Sequence, residues 1–491
     1  MSVKRAEHCA RRCWRGAAVI LVGIAAWAGF VAAPARAQNA TSAQNPFWGS
    51  VTAQPVSDAP LLLSLDEAVH RGLANNLGLR EAEAGEKALH GEKNVVEQVF
   101  LPTITLSGDT GYSMHNLAAL GFGPDALKNF SKLFPGGKPP AGFSEITRDT
   151  LTDGKLQLTQ VLFSAPAIAA FKAAGAAERS AYYGKMTARG EVVQQVATAY
   201  LRAVADASEV ENAQALLGQA QVLAQHQHEA HVAGTAANLD ELRAQVQVEA
   251  QQQALIAAEN QQAKDLILLK REIGVDPAQA VALSDPAPYS ELAAQTPEEL
   301  RALAYKSRQD YQNLQNQVTV YKALHASARA ARLPSLTFTG NYQVSTVTPV
   351  GTNGNFLAMG ALKFPIFREA KVRGDEDVTR ADLNAAAAQL DELRGHIDAQ
   401  VRSALLDVNA NAKLVEVARS NVELATRALS DETDRVNAGV DDNLPLVTAQ
   451  ATLASAKANL VESLYQYNVS KLALARAAGV LEQQYRVYLG E

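Results

Sequence analysis

A twelve-residue stretch is written twice in this chain. Residues 101–112 read LPTITLSGDTGY, and 232 positions later residues 333–344 read LPSLTFTGNYQV. Both copies open Leu-Pro, and a proline, lacking an N–H, is tolerated where a strand begins but not inside a central one. Period-two alternation then separates two faces. In the first copy Ile104, Leu106, Gly108, Thr110 and Tyr112 share one face, and Thr103, Thr105, Ser107 and Asp109 the other. In the second, Leu336, Phe338, Gly340, Tyr342 and Val344 oppose Ser335, Thr337, Thr339, Asn341 and Gln343. A half-buried strand of a soluble sheet alternates in the same way. A strand apolar outward and hydroxyl or amide inward is also what a lipid-facing, water-lined barrel wall requires, and the duplication and its flanks favour that reading.

The flanks repeat as well. Ser64-Leu-Asp-Glu67 and Thr296-Pro-Glu-Glu299, again 232 apart, have the form of capping boxes that open helices. A helical stretch follows each box and runs into the Leu-Pro strand. Residues 113–150, rich in Gly and Pro, read as a long surface loop, with a shorter counterpart after the second copy. Second strands follow at about 154–163 and 356–367, then long helices seamed at spacings of three and four, over about 192–232 and 397–437. Ala233-Gly234 and Ala438-Gly439 mark matching helix stops. A returning helix runs from each stop to Gly274 or Gly479. The expected organisation is therefore repeat 1 over 61–285 and repeat 2 over 286–480, each helix, two strands, helical hairpin, with a short tail at 481–491.

Ahead of the repeats, residues 1–37 carry five early basic residues, an apolar run and Ala35-Arg36-Ala37, the form of a secretory signal with its cleavage site. Residues 38–60 read as an extended arm. Both cysteines, Cys9 and Cys13, fall in the signal segment, so the exported chain is expected to have no thiol. The formal net charge is −6, and removing the net +5 of residues 1–37 leaves −11, which argues against a nucleic-acid partner. No run of about 18 apolar residues follows the signal, so any further membrane crossing must use β-strands.

The pattern resembles the outer-membrane efflux protein family, the TolC-type channel tunnels. Ser64-Leu-Asp-Glu-Ala68, Leu101-Pro, Leu333-Pro, Pro365-Ile-Phe367, Ala233-Gly234 and Ala438-Gly439-Val440 carry the likeness. The resemblance implies a mainly α fold with transmembrane β. In it a homotrimer, four strands per chain, makes a twelve-stranded outer-membrane barrel continued by a periplasmic α-helical coiled-coil barrel. It further implies a passive duct in the outer-membrane lipid, serving tripartite efflux. The hairpin tips, Gly234, Thr235, Gly439 and Val440, would dock a periplasmic adaptor (membrane fusion) protein coupled to an inner-membrane transporter. The exit duct of a type I protein secretion system is the alternative in the same class. A periplasmic coiled-coil adaptor or a structural protein is the alternative outside it.

The resemblance also implies an acidic gate near the tips, for which Asp240, Glu241, Asp441 and Asp442 are the candidates. Helix capping is the competing role, because carboxylates favour the positive end of a helix. The family's gate position, six past the tip glycine, holds Asp240 in repeat 1 but Pro445 in repeat 2. His226, His228 and His231 precede the first tip; no neighbouring Cys or carboxylate in sequence completes a metal set, so a solvated helix face is expected. Lys155 and Lys363 lie in second strands, as rim or lumen charges. No nucleophile elbow, zinc-protease motif or phosphate loop occurs, so neither catalysis nor a cofactor is expected.

Overall fold

The computed structural model describes residues 45–51, 56–116, 124–132, 146–234, 237–285, 290–348, 351–438 and 443–490. The expected signal segment and most of the arm lie outside them. Strand β1 (Leu61–Leu63) leads into helices α1 (Leu65–Asn75) and α2 (Leu77–Glu97), strand β2 (Thr103–Asn116), helix α3 (Pro124–Ser131) and strand β3 (Ile146–Ser164). The first helical hairpin follows, α4 (Ala165–Val232) and α5 (Asn238–Ile273). The second round is β4 (Val281–Leu283), α6 (Pro297–Ser307), α7 (Gln309–Ala330), β5 (Ser335–Thr348), β6 (Gly351–Lys363), α8 (Glu369–Asn437) and α9 (Asn443–Ala477), closed by α10 (Leu481–Leu489).

Local chemistry fixes the starts and breaks. Thr296 and Glu299 form both limbs of a capping box, whereas Ser64 forms one. Its hydroxyl accepts from Glu67 N at 3.2 Å, but the Glu67 carboxylate turns to Arg71 at 2.6 Å. The stretch read as one helix up to residue 100 is interrupted at Asn76, which is extended, caps α2 through Oδ1 and donates its amide to Phe47 O at 2.7 Å. Arg308 breaks the second round in the same place.

The principal helices are longer than the seams announced. α4 and α8 hold 68 and 69 residues, roughly 100 Å at about 1.5 Å per residue. Ser164 is at once the last residue of β3 and the N-cap of α4, accepting from Ala167 N at 3.3 Å, so strand passes into helix with no loop. The first turns of α4 are alanine-rich, and alanine's high helix propensity carries them without a seam of large residues.

β2, β3, β5 and β6 form one antiparallel sheet in that order. The strands outrun the expected 101–112 and 154–163, because much of the presumed loop 113–150 is strand or the helix α3. β5 and β6 are separated by positions 349–350 alone, with Gly351 at φ +131°. β6 stops at Lys363 rather than 367, ahead of Pro365, which has no N–H to give a ladder. The alternation of β3 is disturbed by a bulge between Val161 and Phe163, an extra residue that shifts the face of everything after it.

The buried core lies midway along the long helices, where the repeats meet. Val192, Val196 and Tyr200 of α4 pack with Leu269 and Ile273 of α5, Ile397 and Val401 of α8, and Leu472 and Leu474 of α9. β1 and β4 pair in parallel beside it, Leu61 opposite Val281, a two-strand ribbon no sequence pattern announced. Asp285 ties it in, accepting from Leu65 N at 2.7 Å and from the buried Tyr200 hydroxyl at 2.9 Å. The segment 481–491, expected to be a tail, is mostly helix. Leu481, Tyr485, Tyr488 and Leu489 of α10 are buried in this core. Gly479, at φ +76°, lets the chain turn into it against Arg308. Sheet, core and hairpin tips therefore lie in sequence along α4 and α8.

Candidate channel wall and hairpin tips

The register of the sheet sorts its residues into two faces. On one, Leu106, Leu156, Tyr342 and Phe356 lie side by side across all four strands, above Ile104, Leu158, Gly340 and Ala358. Leu106 is 81% exposed and Phe356 75%, so this apolar face has nothing of its own chain to cover it. Tyr342 lies over the neighbouring strand at Gly354, where an added Cβ would stand 2.8 Å from the phenolic oxygen. From Ile104 to Met114 the face spans about 33 Å along the strand, or about 25 Å when tilted by roughly 40°, the height of a lipid-facing band.

The opposite face is mostly polar. Its rows read Thr105, Gln157, Asn341; then Ser107, Lys155, Gln343, Asn355; then Asp109, Asp153, Ser345, Asn353. Leu151 and Val161 of β3, Val347 of β5, and Leu357 and Met359 of β6 are large apolar exceptions on it. Lys155 is thus on the wet side, one step along β3 from the opposed pair Asp109 and Asp153. Lys363 ends β6 opposite Ser335 on the same face. Within the sheet β2 and β6 have one partner strand each, so both edges carry unpaired backbone groups, which lipid does not tolerate. Beneath it, Phe364, Ile366 and Phe367 are exposed, and Arg332 at the end of α7 pairs with Glu369, at 3.1 Å, and with Glu376 of α8. Hydrogen bonds from Arg332 and Arg373 hold the Glu369 carboxyl down to about 2.

At the far end, α4 stops at Val232 and Gly234 takes φ +77°. Asp240 and Glu241 sit in the first turn of α5, facing its positive end. The structure separates their roles. Asp240 lies 3.4 Å from Arg243. Glu241 turns back across the hairpin, its Oε1 2.9 Å from His228 Nδ1 and its Oε2 3.9 Å from His231 Nε2, and its side chain is only 13% exposed. The carboxylate that sequence spacing did not offer the histidines is thus supplied by the facing helix. His226 stays exposed. Among the described residues no group of three or more His, Cys, Asp and Glu side chains is arranged to hold a metal ion. Thr235, Gly439, Val440, Asp441 and Asp442 lie outside the described residues.

Between wall and tips, two helices expose apolar residues at seam spacing: Leu239, Leu242, Val246, Ile256 and Ile267 on α5, and Leu414, Val417 and Leu424 on α8. One cluster was barely legible. Arg202 lies within 3.1 Å of Asp206, 3.7 Å of Asp265 and 3.1 Å of Glu462. Only the Arg202/Asp206 spacing of four is visible in sequence; the other acids arrive from 63 and 260 positions away.

The model of the outer membrane efflux protein family matches residues 68–275 and 300–480. Protein CyaE of Bordetella pertussis is 28% identical over 489 residues, 94% of this chain and 95% of that protein. Among solved structures, a membrane protein from Pseudomonas aeruginosa superposes with a TM-score of 0.70 at 20% identity, covering 87% of this chain and 97% of its own. The outer membrane protein VceC from Vibrio cholerae gives 0.70 at 17% identity, covering 84% and 96%.

Proposed function

Because the chain belongs to the outer membrane efflux protein family, an outer-membrane channel, we propose that three copies assemble into the exit duct of a tripartite efflux system. One observation carries this. A four-stranded sheet with an uncovered apolar face and two open edges sits at the end of helices roughly 100 Å long. Such a sheet cannot cross lipid alone, since each open edge leaves N–H and C=O groups unpaired where no water can serve them. Pairing β2 of one copy with β6 of the next closes the ladder, and three copies give twelve strands around a lumen lined by the polar rows. The exposed seams of α5 and α8 fit the same assembly, each covering a neighbour's seam below the membrane.

The duct is passive. Its wall offers hydroxyls and amides with few charges, which wet a passage without gripping cargo, so energy must come from a partner. The hairpin tips reach about 50 Å past the central core and are the surface for a periplasmic adaptor. In this assembly the acids at 441 and 442 narrow the entrance, while Glu241 braces the first tip and Asp240 remains available to the entrance. The test is fractionation of cells expressing the full chain. A trimer in the outer membrane that dissociates on heating, co-purifying with an adaptor and an inner-membrane pump, supports the reading. Co-purification with a protein-secretion transporter redirects it to that export class. A monomer soluble without detergent ends it.

A further inference from the structure

The two hairpins of one chain are joined tightly at the core and loosely toward the tips. On the tip side, the buried apolar clusters of the described residues each lie within one hairpin. Val210, Ala213, Leu217 and Leu255 join α4 to α5, and Ala425, Leu453 and Ala456 join α8 to α9. At the border between these regimes stands the Arg202 cluster. α4 contributes Arg202, Asp206 and Glu209; α5 contributes Asp265; α9 contributes Glu462 and Tyr465. The guanidinium lies 3.1 Å from Asp206, 3.7 Å from Asp265 and 3.1 Å from Glu462, with its carbon 5.3 Å from the Tyr465 ring centre. One cation thus serves three carboxylates on three helices, two of them in the first hairpin and one in the second.

The charges do not balance when all are ionised. Asp206 is 5% exposed, and its Oδ2 is buried without a hydrogen-bond donor. An ionised Asp206 has no proton to offer a neighbour; a proton on its carboxyl turns the partnerless oxygen into a donor and removes one negative charge. Gln261 donates to the other side of Asp265 at 2.8 Å.

We propose that Asp206 is a proton-operated latch: with its proton in place Arg202 holds Glu462 and the hairpins stay together, and without it the excess negative charge drives α9 away from α4. Burial first, then the bond to Asp265, push the Asp206 carboxyl up to about 7 against the pull of Arg202, and burial also raises Glu209. The sign follows. An acid whose folded pKa is raised stabilises the closed packing fully below its ordinary value of 3.8, and that contribution is lost progressively as pH rises from there through about 7. In the assembled duct, which rests on the preceding proposal, separation of the hairpins opens the entrance.

The test is a distance between spin labels at Gln214 on α4 and Ser455 on α9, both exposed, in full-length trimer purified in detergent and freed of Cys9 and Cys13. The expected result is a lengthening as pH is raised from about 4 to about 8, progressing between about 4 and about 7 and complete by then. Asp206→Asn, which cannot ionise, stays short throughout, and Glu462→Gln, which removes the repelled charge, shows no lengthening. Wild-type distances that do not change with pH, or an Asp206→Asn variant that lengthens like the wild type, overturn the latch. Conductance in planar bilayers is read in parallel. If distances move but no conductance is seen, the channel reading fails while the latch stands.

Discussion

Leu156 and Gln157 are neighbours on β3 that the register sends to opposite faces, and that makes them a discriminating pair. Leu156 stands near the middle of the strand, between Leu106 and Tyr342 on the apolar face. Gln157 lies between Thr105 and Asn341 on the polar one. An arginine placed on the lipid face near mid-bilayer costs about 2–4 kcal/mol. Three copies per duct multiply this to roughly 6–12 kcal/mol for the assembly, a large share of the stability of any domain. An arginine at Gln157 points into water and costs little. Refolding into lipid vesicles across a urea series, scored by the heat-sensitive mobility of the folded form, measures both. Leu156→Arg should lower the folding equilibrium by roughly 30- to 1000-fold per chain, and Gln157→Arg by no more than a few-fold. Equal effects, or a larger one at Gln157, would refute the assignment of faces and with it the barrel.

Four further outcomes follow from particular contacts. Gly479→Ala should cost more than about 2 kcal/mol in thermal or denaturant unfolding, because a left-handed residue gains a Cβ 2.6 Å from Arg308 N. Gly234→Ala, at the same backbone angle with open space around it, should cost only about 1 kcal/mol. Burial pushes the Glu272 carboxyl up to about 7 against a hydrogen bond from Gln195. The folded state therefore binds this proton more tightly than the unfolded one, and stability should fall, by at most about 3 kcal/mol, as pH rises from 4.5 through 7; Glu272→Gln should flatten that slope in denaturant titrations. Glu241→Ala should loosen the first tip, read as faster amide exchange at the end of α4 and start of α5, with global unfolding unchanged.

Much of the plan is written in the chain. The Leu-Pro pairs mark strand starts because proline lacks a donor, and the alternation that follows sorts Leu106 from Ser107 by position alone. Gly234 and Gly479 act where the sequence has a glycine after a long helix, because a left-handed residue is cheapest there. These signals are local: each depends on one residue and its near neighbours. The signals that failed were those overridden by partners. Residues 113–116 and 146–153 look like loop until neighbouring strands supply hydrogen bonds, and the bulge after Val161 hides the pairing of Phe163 with Leu336. The segment 481–491 carries Leu481, Tyr485, Tyr488 and Leu489 at helical spacing, a signal too short to stand out as more than a tail, and α10 is buried because the core offers it a place. His228 stays exposed, but no local spacing announces its contact with Glu241 across the hairpin.

By itself, then, the sequence determined the duplicated alternation of helix, strand pair and helical hairpin and which way the first strand of each pair faces, since both depend on short-range sterics and on the period of the side chains. Only the tertiary structure decided which distant charges meet: Arg202 with Glu462, Glu241 with His228, Arg332 with Glu369. Electrostatic contact depends on a few ångströms of separation between helices, and no spacing along the chain encodes that distance.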